Sequence, residues 1–305
     1  MAVGLKFNFQ YPETNGSELD LMRAGPIGEV AALAERWGFH GISLSDHPVP
    51  GQRWLDAGGH QTLEPFVGLS FAAAATQRLR VMTNLVVGPY RQPFLLAKAA
   101  ASLDKLSNGR LILGLGVGYL KGEYHALGID YEERNVLFDE LLDVLPLHWS
   151  GERFSYEGAH FSARDVIALP APVQRPIPIW IGGNSPLSRR RAASRAQGWM
   201  PMIGGAELAT TARTTTIATL DEAAEKIIGV REAAVAAGRN EPMDFMAPYV
   251  EPDLLDDPDR HREAFAALES AGITWLTVST PSVDLSTTAR FLEAFGTCYL
   301  DPKEG

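Results

Sequence analysis

Two hydrophobic patterns alternate along the chain: short runs of branched and aromatic residues, and longer segments with apolar residues every three or four positions. The first pattern predicts eight strands, at 5–10, 41–48, 79–89, 110–115, 177–183, 198–202, 244–250 and 273–279. The second predicts a helix after each strand, at 25–37, 63–75, 93–106, 131–149, 186–197, 220–237, 260–271 and 286–295. This order forces parallel pairing with right-handed crossovers.

The pattern is interrupted only once. Between 150 and 178 the chain reads as a hairpin, FSYEGAHFS, followed by a stretch too rich in proline for a regular element, LPAPVQRPIP. We see no fixed-period repeat and no low-complexity linker that would divide the chain. The sequence therefore predicts an α/β fold, a (β/α)8 TIM barrel formed by residues 1–305 as a single domain, with an insertion after the fourth helix.

The stretch from 108 to 128 reads NGRLILGLGVGYLKGEYHALG. Its glycines, Gly114, Gly116 and Gly118, end a strand and leave little steric hindrance, which favours close approach of the backbone to a planar or anionic ligand. Alternatively, the glycines only let a following helix pack on the strand. A dinucleotide fingerprint is excluded, because its third glycine falls on Tyr119 or Lys121.

Composition narrows the classes of function. The net charge of -10 argues against a nucleic-acid partner. One cysteine among 305 residues gives neither a disulfide framework nor a cysteine metal site, and no two histidines lie three or four residues apart, so we predict no metal site. Because the N-terminus lacks a basic and apolar leader and no apolar run reaches membrane-spanning length, we expect a cytoplasmic protein without a membrane partner.

Three motifs together resemble a known family: SDHP after the second strand, MTNLVVGPYRQPFLLAKAAASLDKLSNGRLILGLGVGYLKGEYHALG across the third and fourth units, and PIPIWIGGNSP at the fifth strand. This combination is similar to the bacterial luciferase-like flavin and deazaflavin oxidoreductases, above all to their coenzyme F420-dependent branch. The resemblance runs from about Leu5 to Gly205. It implies that a tricyclic cofactor ring lies across the C-terminal mouth of the barrel.

The resemblance also implies roles for individual residues. Asn84-Leu85 matches a cis peptide that bulges behind the ring, and His47, with Asp46 orienting it, matches a group that exchanges a proton with substrate. The other implied contacts are to the cofactor: Val117 and Gly118 at the ring edge or ribityl chain, Glu123 as a hydrogen-bonding acid, Arg134 and Asn135 at the start of a covering helix, and Gly182, Gly183, Asn184 and Ser185 as a phosphate cradle.

Plainer interpretations exist for several of these residues. Asp46 and His47 could cap a helix or stabilise a loop, and Asn184 and Ser185 before a proline form an ordinary helix start. The arginines of the following helix are expected to form a solvated face: Arg189, Arg190, Arg191 and Arg195.

The chain also departs from one group of the family. Deazaflavin-dependent sugar-phosphate dehydrogenases carry a threonine and a catalytic glutamate in the glycine loop, where this chain has Val117 and Tyr119. We therefore do not expect a sugar phosphate. The loops 48–62 and 150–178 carry apolar and aromatic side chains, which favours a small neutral or hydrophobic substrate.

The resemblance leaves three hypotheses of function. The first is hydride transfer between coenzyme F420 and an organic substrate. The second is an FMN-dependent monooxygenase that uses O2 and reduced flavin from a separate flavin reductase. The third is a cofactor-binding protein without turnover. The resemblance further implies a homodimer that pairs through helices flanking the barrel.

Overall fold

A computed structural model describes residues 4–15, 20–205, 214–251, 253–280 and 284–300. Part of the loop that the sequence predicts before Asp20, residues 16–19, lies outside this range. Eight strands form a closed barrel: β1 (Lys6–Gln10), β2 (Gly41–Leu44), β3 (Arg80–Val87), β4 (Leu111–Gly116), β5 (Ile179–Gly182), β6 (Gly198–Met200), β7 (Asp244–Pro248) and β8 (Trp275–Val278).

A helix follows each barrel strand. These helices are α1 (Ile27–Arg36), α2 (Pro65–Ala74), α3 (Pro93–Leu106), α4 (Arg134–Trp149), α5 (Pro186–Arg195), α6 (Leu220–Ala236), α7 (Pro258–Ser270) and α8 (Leu285–Tyr299). Each strand pairs in parallel with its neighbours in chain order, and β8 closes on β1. The predicted (β/α)8 barrel is therefore confirmed, and the loops after its strands meet at one rim.

The interior of the barrel is filled by large side chains. Met82, Trp180 and Trp275 belong to a buried cluster there, and the two indole rings meet edge to face with centroids 5.4 Å apart. Nearer the rim the packing becomes polar: buried Asn8 donates hydrogen bonds to Ser43 Oγ at 2.7 Å and Thr277 Oγ1 at 3.2 Å. The barrel is thus a packed core whose polar end lies below the loops.

The predicted interruption of the pattern contains a hairpin of two antiparallel strands, Arg153–Glu157 and Ser162–Ile167. Two buried carboxylates attach the segment to the outer helices. Glu140 of α4 accepts the backbone N–H groups of the hairpin tip, and Asp104 of α3 accepts those of the proline-rich stretch. The predicted hairpin is confirmed, and its second strand extends further than the sequence pattern indicated.

Two negative findings concern the described residues. None of their helices is both long and apolar enough to cross a membrane. No group of three or more histidine, cysteine, aspartate or glutamate side chains in the same part of the chain could hold a metal ion.

Candidate active site

Strand β3 contains a cis peptide bond between Asn84 and Leu85, which confirms the geometry that the resemblance implied. Its pairing register with β4 shifts between Thr83 and Val86. Asn84 Nδ2 donates a hydrogen bond to Gln10 Oε1 at 2.9 Å, which fixes this amide to the end of β1. Asn84 and Leu85 are half-buried, whereas the residues on both sides are buried, so the irregular peptide is accessible at the mouth of the barrel.

Three glycines beside this peptide are required by their neighbours. A Cβ atom would lie 2.6 Å from Leu85 Cδ1 at Gly116, 2.2 Å from Leu85 Cδ2 at Gly182, and 2.0 Å from the Thr83 carbonyl oxygen at Gly114. Real side chains do not come that close. Gly114 and Gly116 therefore accommodate the backbone and the side chain of β3.

The next turn, Val117–Gly118, passes along the outer part of the mouth. Gly118 has a positive φ of 69°, and a Cβ atom there would lie 2.6 Å from Val87 Cγ1. The Tyr124 hydroxyl donates to the Val117 carbonyl oxygen. Burial raises the pKa of Tyr124 well above its ordinary value, so this hydroxyl remains a donor. Val117 and Gly118 are half-buried, as a ligand-facing turn requires.

The side chain of Asp46 is buried and faces an arginine. Its Oδ2 accepts the Val87 N–H at 2.9 Å and Arg91 Nη1 at 2.5 Å, while Oδ1 accepts Arg91 Nη2 at 2.9 Å. This bidentate pair joins the loop after β2 to the loop after β3. The prediction that Asp46 orients His47 is therefore wrong, and the alternative interpretation of a loop-stabilising residue is correct for Asp46.

The carboxylate beside His47 belongs to Glu123, on a short helix after the glycine stretch. His47 Nδ1 lies 3.3 Å from Glu123 Oε2, and the glutamate side chain is 1% exposed. Glu123 also accepts the Tyr90 hydroxyl at 2.9 Å and the Val49 N–H at 3.3 Å. Burial and the glutamate charge raise the pKa of Tyr90, so its hydroxyl stays protonated as a donor. Glu123 is thus held in place by the groups around it.

Aromatic rings surround His47. Its ring centroid lies 4.4 Å from that of Trp54, 5.0 Å from His60 and 6.3 Å from Tyr119. Burial and the nearby Glu123 raise the pKa of Tyr119, so it presents a neutral phenol. His60 was not predicted as a site residue from the sequence. The only indication was its position at the end of the loop that also carries Trp54.

The predicted phosphate cradle begins an ordinary helix, as the plainer interpretation held. Ser185 caps α5 by accepting the Ser188 N–H at 3.0 Å, and Pro186 occupies the first helical position. The backbone at Gly183 has a φ of 96°, and its carbonyl oxygen accepts Trp199 Nε1 at 2.9 Å. Gly183 and Ser185 are half-buried at the end of β5.

Asn184 is 2% exposed, and its polar groups bind the protein itself. Its Nδ2 donates to the carbonyl oxygens of Met202 and Thr215 at 2.8 Å each, and its Oδ1 accepts the Met202 N–H at 2.9 Å. Its own backbone N–H donates to Thr214 Oγ1 at 2.9 Å. Asn184 therefore joins the loops after β5 and β6, which corrects its predicted role as a ligand contact.

Arg134 and Asn135 begin α4, where the sequence placed them. The Arg134 guanidinium lies 3.8 Å from the Tyr131 ring centroid, and Nη1 donates to the Tyr131 carbonyl oxygen at 2.7 Å. Asn135 Oδ1 accepts Arg191 Nη1 at 3.1 Å, and Arg191 also pairs with Asp139 at 2.7 and 2.8 Å. Arg191 is 4% exposed, so the predicted solvated face is wrong for this arginine, which fastens α5 to α4.

The fold and site define a TIM-barrel protein with an accessible cis peptide and a carboxylate-bound histidine at its C-terminal rim. Residues 1–294 match the model of the luciferase-like monooxygenase family, and the chain belongs to that family.

Individual relatives use two kinds of cofactor, according to their names. An F420-dependent glucose-6-phosphate dehydrogenase of Microbacterium testaceum is 30% identical over 209 residues, which cover 67% of this chain and 58% of that protein. An FMNH(2)-dependent dimethylsulfone monooxygenase of Pseudomonas putida is 29% identical over 210 residues, covering 65% of this chain and 56% of that protein. The chain thus spans little more than half the length of these curated relatives.

A solved structure confirms the architecture. An F420-dependent secondary alcohol dehydrogenase in complex with an F420-acetone adduct superimposes with a TM-score of 0.75 at 16% identity. The superposition covers 99% of this chain and 100% of the other. At this level of identity the likeness shows the shared fold.

Proposed function

We propose that the protein is an oxidoreductase that transfers hydride between coenzyme F420 and a small neutral or hydrophobic substrate. One observation carries the proposal: His47, bound to the buried Glu123, is on the loop that Asp46 fastens to the strand of the accessible cis peptide. Asp46 bonds to Val87, two residues beyond Leu85, so the loop of His47 is fastened next to that peptide. The F420-dependent relative supports this choice of cofactor.

The rim fits a planar ring with an anionic tail. Asn84, Leu85, Val117 and Gly118 are half-buried on or just after the neighbouring strands β3 and β4 and would contact the ring. The backbone N–H groups of Gly183 and Ser185, together with the N-terminus of α5, would receive a phosphate, whereas the side chain and backbone N–H of Asn184 would not. When bound, a deazaflavin supplies a hydride donor or acceptor at its C5 atom.

The protein's own part in the reaction is to hold and move a proton. If His47 donates Nδ1–H to Glu123, its Nε2 is the atom that exchanges the proton with a substrate hydroxyl. Among the described residues no hydrogen bond occupies Nε2. In alcohol oxidation, Nε2 accepts the hydroxyl proton as hydride leaves the carbon, and in the reverse direction it returns that proton to the carbonyl oxygen.

A second candidate function is an FMN-dependent monooxygenase, which is favoured by the similarity to the dimethylsulfone monooxygenase. It would need O2 and a separate flavin reductase as partner. The accessible rim suits either tricyclic ring. A chain that binds a cofactor without turnover is the remaining alternative.

We further propose a homodimer. Helix α2, with the sequence PFVGLSFAAA, is apolar almost all round, and its Val67 and Phe71 are 61% and 66% exposed. Leu95 of the neighbouring helix α3 is 70% exposed. An apolar surface of this kind favours association, and pairing with a second copy would bury it.

Replacing His47 with alanine tests the catalytic assignment. We expect F420 binding to change little and hydride transfer to slow by ~10²–10⁴-fold, because an acid-base group acts on rate rather than on affinity. Single-turnover kinetics with F420 and a panel of alcohols, aldehydes, enones and imines measures this.

The matched control is His125→Ala, which changes an exposed histidine of the helix that carries Glu123. Unchanged hydride transfer in His47→Ala would contradict the assignment. O2 consumption with FMN and no response to F420 would instead support the monooxygenase.

A further inference from the structure

A second histidine of the rim, His60, is held through one of its two ring nitrogens. The two-residue strand His60–Gln61 pairs antiparallel with Thr14–Asn15, which joins the loop after β2 to the loop after β1. His60 Nε2 lies 3.1 Å from Glu13 Oε2 and 3.0 Å from Ser45 Oγ. The Glu13 side chain is 11% exposed and also accepts the Ser45 N–H at 2.8 Å, so this side of the ring is sheltered and fixed.

The contacts of His60 determine where its hydrogen lies. A carboxylate only accepts hydrogen bonds, so Nε2 carries the hydrogen that faces Glu13. Burial lowers the pKa of His60, and the charge of Glu13 offsets this only in part, so the ring is neutral at neutral pH. A neutral imidazole with its hydrogen on Nε2 has an unprotonated Nδ1, which is a hydrogen-bond acceptor.

This second nitrogen of His60 is free to accept a hydrogen bond from outside the protein. Within the described part of the chain, Nδ1 has no hydrogen-bond partner and is not among the buried polar atoms that lack one. The side chain of His60 is 31% exposed. The nitrogen is therefore accessible, and it presents a lone pair at the rim.

His60 lies beside the residue to which we assign proton transfer. The ring centroids of His60 and His47 are 5.0 Å apart at an interplanar angle of 84°. Trp54 packs against both rings, with its centroid 5.3 Å from His60 and 4.4 Å from His47. His47 faces Glu123 through Nδ1, which leaves its Nε2 for a substrate hydroxyl. Two rings, each with one nitrogen that the described residues leave unpaired, thus contact the same tryptophan.

We propose that His60 Nδ1 is a substrate-binding acceptor, which receives a hydrogen bond from a second hydroxyl group of the substrate, next to the hydroxyl that reacts at His47. The inference rests on the proposed function and narrows its small neutral substrate to a vicinal diol, with the matching hydroxyketone as product. Since a hydrogen bond spans roughly 2.8 Å, hydroxyl groups on neighbouring carbons can reach both rings, with the carbon chain against Trp54. A mono-alcohol can satisfy only one of the two nitrogens.

The chemical step remains the one proposed above. Hydride leaves the carbon that carries the first hydroxyl for F420, and His47 Nε2 takes the proton of that hydroxyl, so the diol becomes a hydroxyketone. The second hydroxyl keeps its proton and stays bound to His60. In the reverse direction the same hydroxyl orients the hydroxyketone.

The first test compares two pairs of alcohols that differ by one neighbouring hydroxyl: propylene glycol with isopropanol, and cyclohexane diol with cyclohexanol. In the F420-loaded protein we expect a higher kcat/KM for each diol than for its mono-alcohol. His60→Gln should reduce that ratio by ~2–10-fold, the effect of one neutral hydrogen bond. Glutamine can keep an amide nitrogen facing Glu13, but it has no atom at the Nδ1 position.

The control for the specificity ratio is His160→Gln, at an exposed histidine that pairs with Glu133. This variant should keep the wild-type ratio. An equal ratio in the wild-type protein and in His60→Gln would overturn the proposal.

A second measurement uses the wild-type protein and does not depend on turnover. Protein with isotope-labelled histidine nitrogens is titrated with each alcohol, with and without F420, and followed by NMR. Accepting a hydrogen bond changes the chemical shift of a nitrogen lone pair, so the diols should move the His60 Nδ1 signal and the mono-alcohols should not. The His160 signals should stay in place. A static His60 Nδ1 signal, or an equal shift with diol and mono-alcohol, would overturn the proposal.

The two measurements together separate this inference from the proposed function. Hydride transfer to F420 with a static His60 Nδ1 signal would overturn the inference and leave the function standing. A His60 Nδ1 shift with the diols, without F420 turnover of any of the four alcohols, would support the diol site and count against the proposed function.

Discussion

Replacing Glu123 with glutamine keeps the shape of the side chain that contacts His47 and removes its charge. The carboxylate accepts from Tyr90, from Val49 and from His47. Hydrogen bonds to a charged group stabilise by roughly 1.5–3 kcal/mol and neutral ones by roughly 0.5–1.5, so three contacts lose about 3 kcal/mol. Burying a neutral amide costs less than burying a carboxylate, and this difference offsets part of the loss. We therefore expect the free energy of unfolding to fall by ~1–3 kcal/mol.

The effect on catalysis should be larger than the effect on folding. An amide at Glu123 can donate to His47 Nδ1 and so favour the tautomer with its proton on Nε2, which cannot accept the proton of an alcohol. We expect kcat/KM for alcohol oxidation to fall by ~10²–10⁴-fold, approaching the value of His47→Ala.

Denaturant titration and single-turnover kinetics measure the two effects of Glu123→Gln separately. Glu157→Gln, at an exposed glutamate of the hairpin, is the matched control and should change neither. Wild-type kcat/KM in a folded, F420-bound Glu123→Gln protein would rule out a role for the Glu123 carboxylate in proton transfer.

Two further predictions concern the glycines and the helix surface. Gly116→Ala and Gly182→Ala should each lower the free energy of unfolding by ~1–3 kcal/mol or more, because the new methyl group meets Leu85; Gly122→Ala, where a Cβ meets nothing within 4 Å, is the control. Equal denaturation midpoints for all three would contradict this packing. Phe71→Glu should convert a dimer into a monomer by light scattering, whereas Ile228→Glu on α6 should not; a monomeric wild-type protein at micromolar concentration would count against the homodimer.

The barrel could be predicted from the sequence because strands and helices have different hydrophobic periods, and their strict alternation leaves one topology. The glycines could not be assigned in this way. The atom that excludes a side chain at Gly116 and Gly182 belongs to Leu85, and no local pattern reveals a neighbour that only folding brings into contact.

Local proximity misled the prediction at the site for the same reason. Asp46 and His47 are consecutive, yet the first contacts Arg91 and the second Glu123. The contacts of these two side chains, Asp46 with Arg91 and His47 with Glu123, each join two separate loops. Glu123 follows His47 by 76 positions, a separation at which no motif connects the two.

Equilibrium titration of the purified protein with F420 and with FMN tests whether the rim holds the proposed deazaflavin. We predict tighter binding of F420 than of FMN, with affinity reduced when Gly183, whose φ is 96°, is replaced by a bulky residue. Tight binding of FMN without measurable binding of F420 would contradict a deazaflavin site.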